Sequence, residues 1–433
     1  MSVTFTSGVQ MRRNYFIVSV VFLVFFVLSF LTNILGPIIP DIIESFHVSL
    51  GAAAFLPFSF FLAYGVLSVP AGFLVDRFTE KPVIIAAFVA ALLGSLSFAV
   101  HPTYWVAVLS LFTIGAGMAM LQVAINPLLR VAGGEEHFAF NSAFAQFVFG
   151  AASFLSPLIY SYMVKNLPRA AAHGPMLRLL AQITPAHLGW VSIYWIFAVV
   201  SAGMILVLGA IRFPHIEKRK EEQTGTVDTY FQMLRRGMVW LYFCCVFAYV
   251  GSEQGTSDWI SKFLSQYHGY DPHTTGASAV SWFWGLMTAG CFVGMILLKA
   301  FDSRRVLLGF SLGALGALSA ALFGPATVSL YAFPLIGFFA SIMWPTVISL
   351  ALNSAREHHG SFAGILCTGI VGGAVVPLVI GQLGDIVGLR MGMMLLYITF
   401  GCVLSVGLWS RPIITNATFS TRLQKKWSSN MEG

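Results

Sequence analysis

Residues 15–35 read YFIVSVVFLVFFVLSFLTNIL, 21 residues without a single charge. About 20 helical residues cross the ~30 Å hydrocarbon layer of a bilayer. In lipid every backbone N–H and C=O must find its partner inside the segment, so a block of this length predicts a spanning helix. Arg12 and Arg13 precede it, as they would precede a secretory signal. The block is longer than an h-region and no small-residue cleavage site follows, so it is expected to stay as the first span. Outward from it, the apolar blocks 55–75, 83–100 and 105–129 repeat the pattern, and they are continuous rather than alternating as in a barrel strand. Spans are placed near 14–36, 50–75, 82–100, 104–130, 138–164, 189–213, 236–264, 275–298, 304–324, 328–353, 360–384 and 389–410. The whole composition agrees: 57% of residues are hydrophobic and 9% charged, against about 25% charged in a soluble domain.

The net charge of +7 is first a statement about topology. With the N-terminus inside, only Lys165, Arg169, Arg178, Lys262 and Arg390 of the 24 Lys and Arg fall on the outer side. That asymmetry predicts cytoplasmic termini in the inner (cytoplasmic) membrane, and no nucleic acid partner is expected. Cys244, Cys245, Cys291, Cys367 and Cys402 all fall in apolar blocks without metal-ligand spacing, so buried thiols are expected and neither a disulfide framework nor a metal site. No Walker loop, zincin helix or nucleophile elbow is present, which argues against an ATP-driven pump, a membrane hydrolase or any enzyme. Asn416-Ala417-Thr418 matches a glycosylation acceptor but sits in a tail expected to be cytoplasmic, and His358 and His359 read as solvated loop residues.

The most charged stretch, 212–236, contains Glu217-Lys218-Arg219-Lys220-Glu221-Glu222 and separates six spans from six. The domains expected are an N-terminal six-helix bundle over 1–213, a cytoplasmic linker over 214–235, and a C-terminal bundle with a short tail over 236–433. A second polar insert, roughly 165–188, carries Pro168, Gly174, Pro175 and Pro185, which oppose one long helix. The halves are weakly alike. Gly72-Phe73-Leu74-Val75-Asp76-Arg77 with Lys81 follows the second span, and Lys299, Asp302, Arg304 and Arg305 follow the eighth. Gly150 with Pro157-Leu158-Ile159 in the fifth span matches Gly372-Gly373 with Pro377-Leu378-Val379 in the eleventh. Repeated six-span units of this kind predict an all-α membrane protein of twelve transmembrane helices in two bundles related by pseudo-two-fold symmetry, the major facilitator fold.

Particular motifs sharpen this. The loop from Gly72 to Lys81 resembles the loop signature of the major facilitator superfamily, with Thr79 and Glu80 where the pattern usually has Gly and Arg. Ser341-Ile342-Met343-Trp344-Pro345-Thr346 and Gly372-Gly373-Ala374-Val375-Val376-Pro377-Leu378 resemble the fucose permease and glucose/galactose transporter branch. Tyr249-Val250-Gly251-Ser252-Glu253 with Trp259, and Asn126-Pro127, are similar to the same branch. The resemblance covers nearly the whole chain and implies transport of a hexose-like sugar by alternating access, commonly coupled to a cation. Fucose permeases carry acidic residues in spans one and four, where this chain has Asn33 and Gln122, so their proton chemistry does not carry over directly. The resemblance also implies that Asp76, Arg77, Arg130, Glu135, Asp302, Arg304 and Arg356 form a charge network latching the bundles when the cytoplasmic side is shut; the bland reading is ordinary topology-setting charge.

Of the 17 acidic residues, only Glu253 and Asp258 fall inside a predicted span. Lys262 stands four residues after Asp258, so an i,i+4 pair explains that carboxylate. Glu253 lies deeper, where a carboxylate marks an ion or proton path by default, and it is the expected coupling residue for H⁺ or Na⁺. A sugar site needs amides matched to hydroxyls and flat rings for the apolar sugar face. The candidates are Asn33, Gln122, Asn126, Gln146, Gln254, Trp282 and Trp344, with Asn141, Ser257 and Trp284 behind them. Gln122 and Asn126, four apart, share a helix face. The competing readings are interhelical glue for Asn33 and Gln122, an interfacial belt for Trp284, and backbone repair beside Pro127 for Asn126. Phe144 and Phe147 stand where fucose permeases are polar, which suggests a different or less hydroxylated solute. The expectation is a secondary active transporter of a sugar or sugar-like solute, monomeric, using no cofactor beyond a coupling ion. A facilitative uniporter, an exporter of amphipathic solutes and a non-transporting receptor are the alternatives.

Overall fold

The computed structural model describes residues 15–133, 138–172, 174–211, 227–355 and 359–411. Among the described residues eleven helices are long and apolar enough to cross a membrane, and with Gly237–Ser257 as the seventh they make twelve spans in succession. The first six are Tyr15–Thr32 continued by Leu35–Phe46, then Leu50–Phe78, Glu80–Val100, Tyr104–Gly133, Phe138–Asn166 and Ser192–Ala210. The second six are Gly237–Ser257 continued by Ile260–His268, Ala277–Ala300, Ser303–Phe323, Ala326–Ala340 continued by Met343–Ser354, His359–Thr368 continued through Gly369–Val371 to Gly372–Val387, and Leu389–Met393 continued by Leu395–Trp409. We call the end holding Tyr15, Ala210, Gly237 and Trp409 the linker side and the opposite end the far side. Within the insert between spans five and six, Pro175–Ile183 forms a short helix between two 3₁₀ turns, and Val227–Leu234 forms another before span seven. Most of the expected linker, residues 212–226, lies outside the described residues, as does the tail that holds Asn416.

Span one is longer than its sequence suggests. The predicted end at residue 36 falls at a short break, Asn33–Ile34, after which the helix resumes to Phe46. Pro37 sits in the first turn of the resumed helix, where its missing N–H has no intrahelical partner to lose. Asp41 therefore belongs to a membrane span and joins Glu253 and Asp258.

Buried side chains form two main clusters, one almost wholly from residues 17–208 and the other almost wholly from 233–406. Within each, glycines let backbones approach. A Cβ on Gly115 would lie 2.3 Å from the Phe60 carbonyl, one on Gly117 2.4 Å from Ala87 O, and one on Gly337 2.2 Å from Phe283 O. Small residues at crossings are how helices pack when lipid removes the hydrophobic drive between them. Trp105, Leu206, Val199 and Ile398 turn outward, 70–76% exposed, as lipid-facing residues do. The bundles meet along spans two and eleven, where Gly65 faces Val371 and Gly373 faces Phe61, and along spans five and eight, where Gly150 faces Thr288 and Gly285 faces Phe154.

The cysteines are free thiols. Cys245 is buried with its sulfur 3.7 Å from that of Cys402, whereas Cys244 and Cys367 are exposed, contrary to the expectation that all five are buried. A spanning helix in lipid has outward as well as inward faces, and apolar sequence does not say which face a thiol takes.

Candidate functional site

Spans one, seven, ten and eleven are interrupted deep within their membrane-spanning length, and span twelve near its start at Met394. Irregular backbone at membrane depth is tolerated where it is buried in protein or lines a cavity, so these breaks mark the path between the bundles. In span seven the break at Asp258–Trp259 is shored by the Trp259 indole, whose N–H donates to the Pro377 carbonyl of span eleven at 3.2 Å.

Glu253 lies one turn before that break. Its carboxylate lies within interaction range of the Tyr249 hydroxyl, one turn earlier on the same helix face. The Tyr249 ring stands 6.1 Å from that of Trp344, just past the break of span ten. Cys291 of span eight is within electrostatic reach of Glu253, and its thiol donates to the Ser341 carbonyl at the span-ten break. Spans seven, eight and ten thus bring a carboxylate, a phenol and an indole to one wall. Gln254, next in sequence, is buried where a Cβ on Gly373 would touch both its side chain and Phe61 of span two.

The remaining candidates are scattered. The Asn33 amide donates to Ser153 Oγ at 2.8 Å and Ser29 Oγ at 3.4 Å, tying span one to span five. Gln122 is half-buried and engaged in a polar contact. The side chains of Asn126, Asp76 and Arg130 lie outside the described residues, as do Glu135 and Arg356. Gln146 is exposed on span five. Trp282 packs edge-on against Phe154 at 5.4 Å between the bundles. Trp284 is buried against Phe283 rather than placed in an interfacial belt, because its position on span eight turns it into the C-terminal core. Phe22, Phe144, Phe147 and Phe292 form a chain of rings with centroids 4.9–6.0 Å apart from span one across span five to span eight.

At the linker side Asp302 accepts from the Arg304 backbone N–H at 2.9 Å and pairs with its guanidinium, which also reaches the Ser410 carbonyl; these bonds stay within one bundle. Arg77 is exposed and lies over Phe78. Lys81 donates to the Gly209 and Ile211 carbonyls, closing the end of span six.

Asp258 departs from its sequence reading. No ion pair joins it to Lys262; it is 2% exposed and its Oδ2 has no hydrogen-bond partner. At the local helix break the backbone of Ser257 and Asp258 lies against span one, where a Cβ on Gly36 would sit 3.3 Å from the Asp258 Cα and 2.3 Å from the Ser257 carbonyl.

The far side is shut. At the far end of span eleven, Asp385 accepts backbone N–H bonds from Leu50 at 2.8 Å and Gly51 at 2.7 Å, the first residues of span two. An anion there faces the unsatisfied amides and positive pole of a helix start. Gly51, Gly381 and Gly384 make the approach possible, since a Cβ on any of them would stand 2.7–2.9 Å from an atom of the facing helix. Sequence reasoning missed this residue although a signal existed: Gly381-Gln382-Leu383-Gly384-Asp385 repeats the Gly-x-Leu-x-Asp spacing of residues 72–76. Two charge-assisted bonds at a partly exposed rim are worth about 2 kcal/mol together, or roughly 30-fold in a population ratio. Asp385→Ala is expected to raise maleimide labelling of a cysteine beside Gly51 by about that factor, with thermal stability unchanged; equal labelling would remove the latch.

Two packed bundles of six spans, with interrupted helices at their interface and one end closed, define a polytopic transporter rather than an enzyme. The chain matches the Major Facilitator Superfamily model over residues 21–376, and it belongs to that family. The glucose/galactose transporter of Brucella abortus is 27% identical over 413 residues, covering 92% of this chain and 95% of that one. The L-fucose-proton symporter of Escherichia coli is 25% identical over 387 residues, covering 84% and 86%. The crystal structure of the E. coli fucose:proton symporter matches at TM-score 0.65 and 21% identity, over 92% of this chain and 99% of that one. A bacterial homolog of the human lysosomal transporter Spinster, inward-facing and unoccupied, matches at TM-score 0.74 and 13% identity, over 93% and 98%. At these identities the superpositions speak for fold.

Proposed function

We propose that this chain is a secondary active transporter that carries a sugar or sugar-like solute between its two bundles by alternating access, driven by H⁺ or Na⁺ through Glu253. The carrying observation is the wall on which Glu253, Tyr249 and Trp344 meet. A carboxylate at membrane depth is costly unless it exchanges a proton or balances a cation, and the adjoining rings offer the flat apolar surface a pyranose presents to its site. Gln254, Gln122 and Asn126 are the amides proposed to meet hydroxyls, while Asn33 acts through the helices it joins. Relatives named for glucose, galactose and L-fucose support the substrate class. The distribution of Lys and Arg supports an inner-membrane protein with the linker side in the cytoplasm, so that the shut end faces outward. The path lies within one chain, which supports a working monomer.

The test is binding, read by thermal shift of purified protein against hexoses, deoxyhexoses and oligosaccharides, with and without Na⁺. A ligand at 100 times its Kd stabilises the native state by about 2.7 kcal/mol, so at least one sugar is expected to raise Tm by several degrees. The Phe22–Phe144–Phe147–Phe292 chain favours a second reading, export of an amphipathic solute. Stabilisation by lipophilic cations and by no sugar would replace the first reading with the second.

A further inference from the structure

The far-side gate contains a pair of titratable groups that no role described so far uses. Asp41, in the resumed helix of span one, is 8% exposed, and its Oδ1 stands 3.5 Å from Nε2 of His273, in the turn Pro272–Gly276 that opens span eight. The contact crosses from one bundle to the other. The His273 backbone N–H donates to Asp271 Oδ1 at 2.8 Å, which pins the turn and aims the ring. The Tyr160 ring of span five stands 6.5 Å from the imidazole. Asp41 Oδ2, His273 Nδ1 and the Tyr160 hydroxyl are each buried without a hydrogen-bond partner.

We propose that Asp41 and His273 form a proton-sensitive bolt on the far-side gate, which holds one shared proton when the gate is shut and releases it when the gate opens. The proposal rests on the alternating-access reading above but not on the identity of the solute. The proton count fixes the sign. On this proposal the two groups, 3.5 Å apart, share one proton in the shut state. Apart in water, with reference pKa values of about 3.9 and 6.5, they hold none above about pH 6.5. The shut state then binds one proton more, so raising pH through that window favours opening, by up to about tenfold in the ratio per pH unit. The charged groups around the pair are Glu44 on the same helix, Asp271 before span eight, and Lys262 of span seven, which lies within electrostatic reach of Glu44. Asp258 faces the same helix of span one from the span-seven break.

The experiment is a spin-label distance distribution between His47→Cys and Ile386→Cys, one on each bundle at the far side and both exposed, in full-length protein with its native cysteines replaced and set in lipid nanodiscs. From pH 6.5 to 8.5 the shut fraction is expected to fall relative to the open one, by up to tenfold per unit, and the dependence is expected to vanish in His273→Gln and, independently, in Asp41→Asn. A flat wild-type ratio across that range, or an unchanged slope in whichever variant folds, overturns the bolt. The readout needs no substrate, so a failed sugar screen with the slope intact counts against the substrate reading alone.

Discussion

Glu253→Gln is expected to abolish accumulation of solute against its gradient while leaving solute-for-solute exchange within about twofold of the parent. In proteoliposomes with a one-unit pH difference, one-proton coupling sustains about tenfold accumulation, because each unit is worth 1.36 kcal/mol. Glutamine keeps the shape and can still meet the Tyr249 hydroxyl but can neither release a proton nor neutralise a cation. The wall stays intact for binding, and only the link to the ion is lost, so accumulation should fall to about onefold. Loss of exchange and accumulation together would make Glu253 part of the solute site instead. Undiminished accumulation would move the coupling to Asp258 or Asp41, the buried carboxylates of spans seven and one.

Gly36→Val is expected to hold the far side open and to cut turnover by 10- to 100-fold without unfolding the protein. A Cβ at residue 36 would stand 2.3 Å from the Ser257 carbonyl, and relieving such an overlap costs about 1–3 kcal/mol, occasionally more. The same overlap at Gly115 against Phe60, or at Gly337 against Phe283, lies inside a bundle, where it opposes folding itself. Gly36 touches the other bundle, so the overlap disappears when the far side opens. The variant should keep its thermal stability, label fast at far-side cysteines and bind solute from that side. A loss of stability as large as that of Gly115→Val would show instead that the Gly36 contact never parts.

Length and hydropathy made the spans legible, because crossing hydrocarbon imposes one rule on every segment, and most predicted ends lie within a few residues of the observed ones. The exceptions carry function. Gly36, Pro37 and Pro40 hid the continuation of span one, and with it Asp41, since the cues that end a soluble helix are tolerated where neighbouring helices re-satisfy the backbone. Glu253 was legible as an isolated charge, and Trp344 from its motif. Asp258 was misread because i,i+4 spacing gives proximity on an ideal helix, whereas this helix breaks at the residue in question. The Asp385 cap and the Asp41–His273 pair join residues hundreds of positions apart, and which ends of two bundles touch is a property of the conformational state rather than of any local pattern.

The most direct measurement is uptake of radiolabelled glucose, galactose and fucose into proteoliposomes under an imposed H⁺ or Na⁺ gradient, with and without an ionophore that collapses it. Saturable accumulation of at least one of these sugars above its external concentration, abolished by the ionophore, is the predicted result. Protein that is folded and correctly inserted yet moves none of them, or moves them only to equal concentrations whatever the gradient, would contradict gradient-driven sugar transport through Glu253.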